Sequence, residues 1–120
     1  MAKILVVDDD PDVNYLMGAW LERAGHEVKT LTDDLSAYRQ AQSYEPDLLL
    51  LDIHMPYMTG WSEMRLFQVD PNLRQVPVVL VSADSLALDS QVPKNYPIFG
   101  RLLKPFTRDQ LLDTVSSALS

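Results

Sequence analysis

The stretch that decides the fold of this chain is Leu48-Leu49-Leu50-Leu51-Asp52-Ile53-His54-Met55-Pro56. Its four leucines are too few to span a membrane and too uniformly apolar for a strand with one face in water. They predict a strand buried on both faces, as in a parallel sheet covered by helices. The run ends at Asp52, and the carboxyl ends of such strands form the crevice where ligands bind. Taken alone, an aspartate there more often forms a turn or caps a helix, so Asp52 needs polar neighbours to indicate chemistry.

The composition fits one folded domain over residues 1–120. The chain length suits a single core, and the hydrophobic fraction of 47% and charged fraction of 22% are ordinary. A net charge of −7 argues against direct binding to nucleic acid or to an anionic membrane. The chain has no cysteine, its apolar start is too short for a signal peptide, and no stretch has the length of a membrane span. We therefore expect a cytoplasmic protein.

Apolar runs and helical patterns alternate along the rest of the chain. Further strands are predicted over residues 4–7, 27–31, 76–81 and 99–103. Helices are predicted from Pro11 to Ala24, from Asp33 or Asp34 to Tyr44, from Trp61 to Gln68 and from Thr107 to Leu119. A short or irregular fourth helix is expected between Ser85 and Pro97. The order βαβαβαβαβα predicts a doubly wound α/β domain, with a parallel sheet between two layers of helices.

Local signals indicate where two helices begin or end. Asp10 before Pro11 is a predicted N-cap, and Gly25 is placed to end the same helix in the left-handed conformation. Thr107 and Gln110 form a predicted capping box at the start of the last helix. The predicted apolar face of the first helix consists of Val13, Leu16, Met17, Trp20, Leu21 and Ala24.

Four of the predicted strands end in polar groups, which are Asp8 with Asp9, Asp52, Ser82 and Lys104. Carboxylates gathered at one edge of a sheet repel one another unless a cation lies among them. Oxygen ligands without a Cys or His cluster favour a hard divalent ion, with Mg²⁺ the first choice and Mn²⁺ the alternative. A lysine and a hydroxyl beside them suit a phosphoryl group, which a carboxylate can accept as an aspartyl-phosphate. Each residue alone has a plain structural explanation, but the four strand ends together favour a site for a divalent cation and a phosphoryl group.

Four motifs follow one another across essentially the whole chain. They are Ile4-Leu5-Val6-Val7-Asp8-Asp9-Asp10, Leu51-Asp52-Ile53-His54-Met55-Pro56 with Gly60, Val81-Ser82-Ala83 and Lys104-Pro105-Phe106-Thr107. In this order they resemble the receiver domains of bacterial two-component response regulators. The resemblance implies a flavodoxin-like (βα)5 fold with strand order 2-1-3-4-5. It also implies a cis peptide bond between Lys104 and Pro105.

The resemblance implies a role for each strand-end residue. Asp52 matches the phosphoacceptor, and Ser82 and Lys104 match the groups that bind the phosphoryl oxygens. The implied metal ligands are Asp8, Asp9, Asp52 and the backbone carbonyl of His54. The implied donor is a histidine kinase or a histidine phosphotransfer protein, and an output domain or downstream protein reads the signal. The domain is then not an enzyme, but a phosphoacceptor that assists its own phosphotransfer and dephosphorylation.

Two surfaces follow from the same resemblance. The kinase-docking surface is predicted on the first helix, at Tyr15, Gly18 and Glu22. The output surface departs from the family, because Arg101 stands where most members carry Tyr or Phe. We expect Arg101 to stay partly exposed or to pair with an acid such as Asp84, since burying an unpaired guanidinium is costly. Thr59, in place of the usual Asp or Asn before the glycine, is a change that we expect to be tolerated.

Three other functions fit this sequence less well. A Mg²⁺-dependent phosphatase of the haloacid dehalogenase type needs a second acid two residues after its nucleophile, where this chain has His54. A flavin- or nucleotide-binding module is disfavoured because Asp8-Asp9-Asp10 would repel a phosphate. A phosphorylation-independent pseudo-receiver generally lacks part of the acid, serine and lysine set that is intact here.

Overall fold

The computed structural model describes residues 2–32, 37–52, 67, 69–83 and 98–120. Its elements are β1 (Lys3–Val7), α1 (Pro11–Arg23), β2 (Glu27–Leu31), α2 (Ala37–Tyr44), β3 (Leu48–Asp52), β4 (Val78–Ser82), β5 (Ile98–Leu103) and α3 (Arg108–Leu119). Phe67 and Val69 are also helical; Phe67 lies within the helix predicted over residues 61–68, and Val69 lies just beyond its predicted end. The other residues of that prediction and the segment from Ser85 to Pro97 are outside the described residues.

The five strands form one parallel sheet in the order β2-β1-β3-β4-β5. The register places Val7 beside Leu31 on one side and beside Leu51 on the other. Further along the sheet, Ser82 lies beside Leu103. The carboxyl ends of neighbouring strands therefore lie side by side at one edge. This order confirms the predicted fold class.

The sheet is covered on both faces, because successive strand residues point to opposite sides. On one face, alternate residues of β1 and β3 pack with Ala37 and Ala41 of α2. On the other face, the intervening residues of the same two strands pack with Met17 and Leu21 of α1 and with Leu111 of α3. Every residue of β3 and β4 is buried, as the apolar runs predicted.

The ends of α1 and α3 follow the predicted signals. Asp10 caps α1, and its Oδ1 accepts a hydrogen bond of 2.9 Å from the backbone N–H of Asp12. Gly25 has a φ of 97°, the left-handed conformation expected after a helix. In the capping box of α3, the Gln110 N–H donates to Thr107 Oγ1 at 3.1 Å, and the Thr107 N–H donates to Gln110 Oε1 at 2.8 Å.

The orientation of α1 differs from the prediction at two positions. Leu16, which was assigned to the apolar face, is 45% exposed. Gly18, which was assigned to the exposed docking surface, is buried with Asn14, Met17 and Leu21. The reason is that α1 packs closely on β2, where a Cβ on Gly18 would lie 3.7 Å from the Cγ2 of Thr30. The buried stripe is therefore turned toward β2 and includes a glycine and an asparagine.

Candidate functional site

The acidic pair Asp8 and Asp9 directly follows β1, at the sheet edge where the carboxyl ends meet. Asp8 is fully buried, and its backbone N–H donates to the carbonyl of Leu31 at 3.0 Å. Its Oδ1 accepts a hydrogen bond of 2.9 Å from the backbone N–H of Asp10. Asp9 is exposed. The Asp8 carboxylate therefore lies at the buried end of the site, and the Asp9 carboxylate lies at its exposed end.

Asp52 is the last residue of β3 and is 4% exposed. Because Val7 and Leu51 are register partners, the residues that follow them, Asp8 and Asp52, lie next to each other. One carboxylate oxygen from each of Asp8, Asp9 and Asp52 lies within 4.8 Å of the other two. The three acids predicted at the ends of β1 and β3 are thus brought together.

Lys104 directly follows β5 and reaches back to these acids. Its Nζ lies 2.8 Å from Asp8 Oδ2 and 3.4 Å from Asp52 Oδ2. Burial alone would lower the pKa of Lys104, but the contact with Asp8 and the charge of Asp52 outweigh it, so that the pKa is raised. The ammonium group therefore stays protonated between the two buried carboxylates. The Lys104–Pro105 peptide bond is cis, as the resemblance implied.

Ser82 is the last residue of β4 and is fully buried. Its carbonyl accepts a hydrogen bond of 2.8 Å from the backbone N–H of Lys104, which ties the ends of β4 and β5 together. Ser82 therefore lies at the same edge of the sheet as the acids. His54, whose carbonyl was the remaining predicted ligand, lies outside the described residues.

The donor set of this edge fits a hard divalent cation. Three carboxylates meet one ammonium group, so the cluster carries an excess of negative charge. Carboxylate oxygens are the ligands that Mg²⁺ and Mn²⁺ prefer, and Mg²⁺ binds proteins through one or two carboxylates with waters and phosphate oxygens. Asp8, Asp9 and Asp52 are the described residues that would hold it.

One polar residue behind the site was missed by the sequence interpretation. Asn14 of α1 is 4% exposed, and its Nδ2 donates to the carbonyl of Asp8 at 2.8 Å and to that of Leu31 at 3.2 Å. The only signal was its spacing of three, four and seven residues from Met17, Gly18 and Leu21, which is the spacing of one helix face.

Arg101, which was predicted to stay at least partly exposed in both states of the domain, is exposed on β5 in this structure. It lies between Phe99 and Leu103, which are 50% and 48% exposed. Its predicted alternative partner, Asp84, and the substituted position Thr59 are outside the described residues. On α1, Tyr15 is 79% exposed and Glu22 is exposed, so two of the three predicted docking residues are accessible.

Comparison with known proteins places this geometry in a family. A family model of the response regulator receiver domain matches residues 4–116. The protein PilH of Pseudomonas aeruginosa is 32% identical over 120 residues, which cover 100% of this chain and 99% of PilH. Curated relatives that are transcriptional regulators are longer, and the chain spans 49% of their length.

Solved structures give the same result. The chemotaxis response regulator CheY4 of Vibrio cholerae has a TM-score of 0.88 and 30% identity, with 99% of each chain covered. The response regulator TrrA of Thermotoga maritima, solved in complex with Mg²⁺-BeF, has a TM-score of 0.84 and 27% identity, with 99% of this chain and 100% of TrrA covered. Within the described ranges, no helix has the length and apolar character needed to cross a membrane. The chain belongs to the receiver domain family of two-component response regulators.

Proposed function

We propose that this domain is a phosphorylation-controlled switch in which Asp52 accepts a phosphoryl group from the phosphohistidine of a histidine kinase or a histidine phosphotransfer protein. The observation that carries the proposal is the convergence of three carboxylates with the ammonium group of Lys104 at one edge of the sheet. Asp52 ends β3, the middle strand of the sheet, and its Oδ2 lies 3.4 Å from Lys104 Nζ. Asp8 is also buried and lies closer to Lys104, at 2.8 Å, so the choice of Asp52 rests on its match to the phosphoacceptor of receiver domains.

The transfer step is a substitution at phosphorus. An oxygen of Asp52 forms the new O–P bond, the P–N bond to the donor histidine breaks, and the imidazole nitrogen keeps the electron pair and takes up a proton. Asp8, Asp9 and Asp52 would hold Mg²⁺, or Mn²⁺ on the same donors, and the bound ion would supply positive charge near the phosphoryl oxygens. Lys104 supplies a second positive charge, and the Ser82 hydroxyl supplies a hydrogen-bond donor.

The buried ion pairs of Lys104 indicate how phosphorylation would change the domain. In the present structure Lys104 is shared between Asp8 and Asp52. Converting the Asp52 carboxylate to an acyl phosphate moves the negative charge outward onto the phosphoryl oxygens, so that Lys104 follows these oxygens and leaves Asp8. Because the backbone of Lys104 is bonded to the end of β4, this movement reaches Ser82 and β5. The signal then leaves through the surface of β5 and the adjoining segment over residues 84–97.

Arg101 supports an output that differs from that of most receivers. Arg101 is exposed on β5, and moving its charged guanidinium into a buried position without a partner would be costly. We therefore assign the response to reordering of residues 85–97, with an output domain or downstream protein as the reader. Hydrogen exchange with and without beryllofluoride tests this assignment. Unchanged protection over residues 85–97 would contradict it.

The domain is proposed to be a phosphoacceptor and not a hydrolase of free phosphate esters. A phosphatase of the haloacid dehalogenase type needs an acid two residues after Asp52, where this chain has His54. We expect no turnover of p-nitrophenyl phosphate, while the domain still assists loss of its own phosphoryl group. Multiple turnover that depends on Asp52 would favour the hydrolase.

Phosphorylation itself is tested with acetyl phosphate and Mg²⁺, followed by intact-mass measurement. Wild type should gain one phosphoryl group, and the gain should disappear with a chelator. Asp52→Asn should show no gain, whereas the matched change Asp113→Asn on the exposed side of α3 should be labelled like wild type. Labelling of Asp52→Asn at the wild-type rate would overturn the proposed function.

A further inference from the structure

Asn14 is a polar residue on the buried face of α1, where it lies among Met17, Gly18 and Leu21. Only 4% of its surface is exposed. Both of its amide hydrogens are used, since Nδ2 donates to the carbonyl of Asp8 at 2.8 Å and to the carbonyl of Leu31 at 3.2 Å. A single side chain of α1 therefore connects the carboxyl ends of β1 and β2.

These two carbonyls lie where the β1–β2 ladder ends. Val7 and Leu31 are its last register pair, after which the Asp8 N–H makes one more hydrogen bond to Leu31. The chain then leaves the sheet, and the carbonyl of Asp8 accepts its hydrogen bond from Asn14 instead of from a strand. Asn14 thus fixes the peptide plane that joins Asp8 to Asp9.

The orientations of the Asp8 and Asp9 carboxylates depend on this peptide plane to different degrees. The carboxylate of Asp8 is held by the Asp10 N–H at 2.9 Å and by Lys104 at 2.8 Å. For Asp9, no residue within the described ranges makes a hydrogen bond or an ion pair with the carboxylate. The direction of the Asp9 side chain is therefore set by its backbone, and the backbone is oriented by Asn14.

The amide oxygen of Asn14 indicates that this residue does more than stabilise the fold. Its Oδ1 is buried and has no hydrogen-bond partner among the residues that the structure describes. A buried, unpaired amide oxygen destabilises a fold, whereas a leucine of similar size would bury apolar surface there. The asparagine is explained by its two donor bonds at the strand ends.

We propose that Asn14 is a positioning residue for the metal-binding acids, which holds the Asp8–Asp9 backbone so that both carboxylates face the cation. This inference rests on the proposed function, because it takes Mg²⁺ as the ion bound by Asp8, Asp9 and Asp52. Partners that orient metal-ligating groups typically change metal affinity by about 10- to 100-fold when they are removed. Since Asn14 acts through the backbone, we expect the lower end of this range.

The test measures the Mg²⁺ dissociation constant by isothermal titration calorimetry for wild type, Asn14→Leu and Asn14→Ala. Both substitutions should weaken Mg²⁺ binding about tenfold. The matched control is Leu21→Ala on the same helix, which creates a core cavity away from the acids. It should lower the melting temperature and leave the dissociation constant unchanged. Circular dichroism establishes that each variant is folded, and Asn14→Ala decides the outcome if Asn14→Leu does not fold.

A second readout separates positioning from general loosening of the structure. The concentration of Mg²⁺ that half-saturates labelling by acetyl phosphate should rise about tenfold in the Asn14 variants, in parallel with the dissociation constant. The labelling rate at saturating Mg²⁺ should change little, because Asp52 and Lys104 are untouched.

The outcomes distinguish this inference from the proposed function. A folded Asn14 variant with wild-type Mg²⁺ affinity overturns the inference alone, as does an equal weakening in Leu21→Ala. Absence of Mg²⁺ binding by wild type overturns the proposed function and the inference with it. A selective loss of affinity in the Asn14 variants supports the inference.

Discussion

Replacing Asp9 by asparagine should stabilise the metal-free protein and weaken its binding of Mg²⁺. Asp9 is the exposed member of a cluster in which three carboxylate oxygens lie within 4.8 Å of one another. Lys104 contacts Asp8 and Asp52, so the charge of Asp9 is the one that its ammonium group compensates least. Asp9→Asn removes this charge and keeps the size of the side chain.

The size of the effect follows from Coulomb's law. At 4.8 Å, the upper limit of the separations between these oxygens, two like charges repel by about 0.9 kcal/mol in a water-like medium and by about 3.5 kcal/mol at an effective dielectric constant of about 20. Because Asp9 is exposed and Lys104 offsets part of the repulsion, we take about 1 kcal/mol. For a chain of 120 residues, this corresponds to a rise in melting temperature of about 4 °C.

The assay is thermal unfolding at low ionic strength, with a chelator and then with added Mg²⁺. The matched control is Asp113→Asn, which makes the same change in net charge at an exposed position of α3 outside the acidic cluster. It should shift the melting temperature much less than Asp9→Asn. With saturating Mg²⁺, the wild type should have a higher melting temperature than Asp9→Asn, because the wild type binds the ion more tightly and gains more stability from it.

Two results would refute this reasoning. The first is a melting temperature of metal-free Asp9→Asn at or below that of wild type, which would mean that the carboxylates do not repel one another appreciably. The second is an unchanged response to Mg²⁺, which would remove Asp9 from the metal site.

Three further predictions concern other parts of the molecule. Glu22→Lys should slow phosphotransfer from a cognate kinase while labelling by acetyl phosphate is unchanged, and equal effects on both reactions would argue against docking on α1. Hydrogen bonds from the Asn72 N–H and the Tyr38 hydroxyl lower the pKa of Asp70, so the stability that it contributes at neutral pH is lost as the pH falls through that lowered pKa. Tyr38→Phe should raise the pKa of Asp70 in an NMR titration, and an unchanged pKa would contradict the assignment. Burial raises the pKa of Tyr44 to about 12, so the unfolded chain loses this proton first and stability falls with rising pH between the ordinary value and 12. Tyr44→Phe should remove this alkaline dependence and the component of the tyrosinate absorbance titration near pH 12.

The strand ends were predictable because they depend on local sequence. The fully apolar runs before Asp8, Asp52 and Ser82 predict buried parallel strands, and the carboxyl ends of such strands meet at one edge. The order of the strands came from the resemblance to receiver domains, since the alternation of strands and helices permits more than one order.

The details that sequence did not predict depend on tertiary contacts. Leu16 is exposed and Gly18 is buried because α1 packs closely on β2, and counting apolar residues along a helix does not register a glycine as part of a buried face. Asn14 was missed for the same reason, as its partners are carbonyls at the ends of two strands. Tyr38 and Gln42 donate hydrogen bonds of 2.9 Å and 3.3 Å to the carboxylate of Asp70, which is 28 or more residues away. These bonds likewise leave no periodic signal in the sequence.

The central claim is that Asp52 is the residue that becomes phosphorylated, and borohydride trapping tests it most directly. Borohydride reduces an aspartyl-phosphate to homoserine, so peptide mass spectrometry after labelling with acetyl phosphate and Mg²⁺ identifies the modified position. We predict homoserine at position 52 and at neither position 8 nor position 9, with none formed when Mg²⁺ is withheld. Homoserine at another aspartate, or a labelled protein with an unreduced Asp52, would contradict the account.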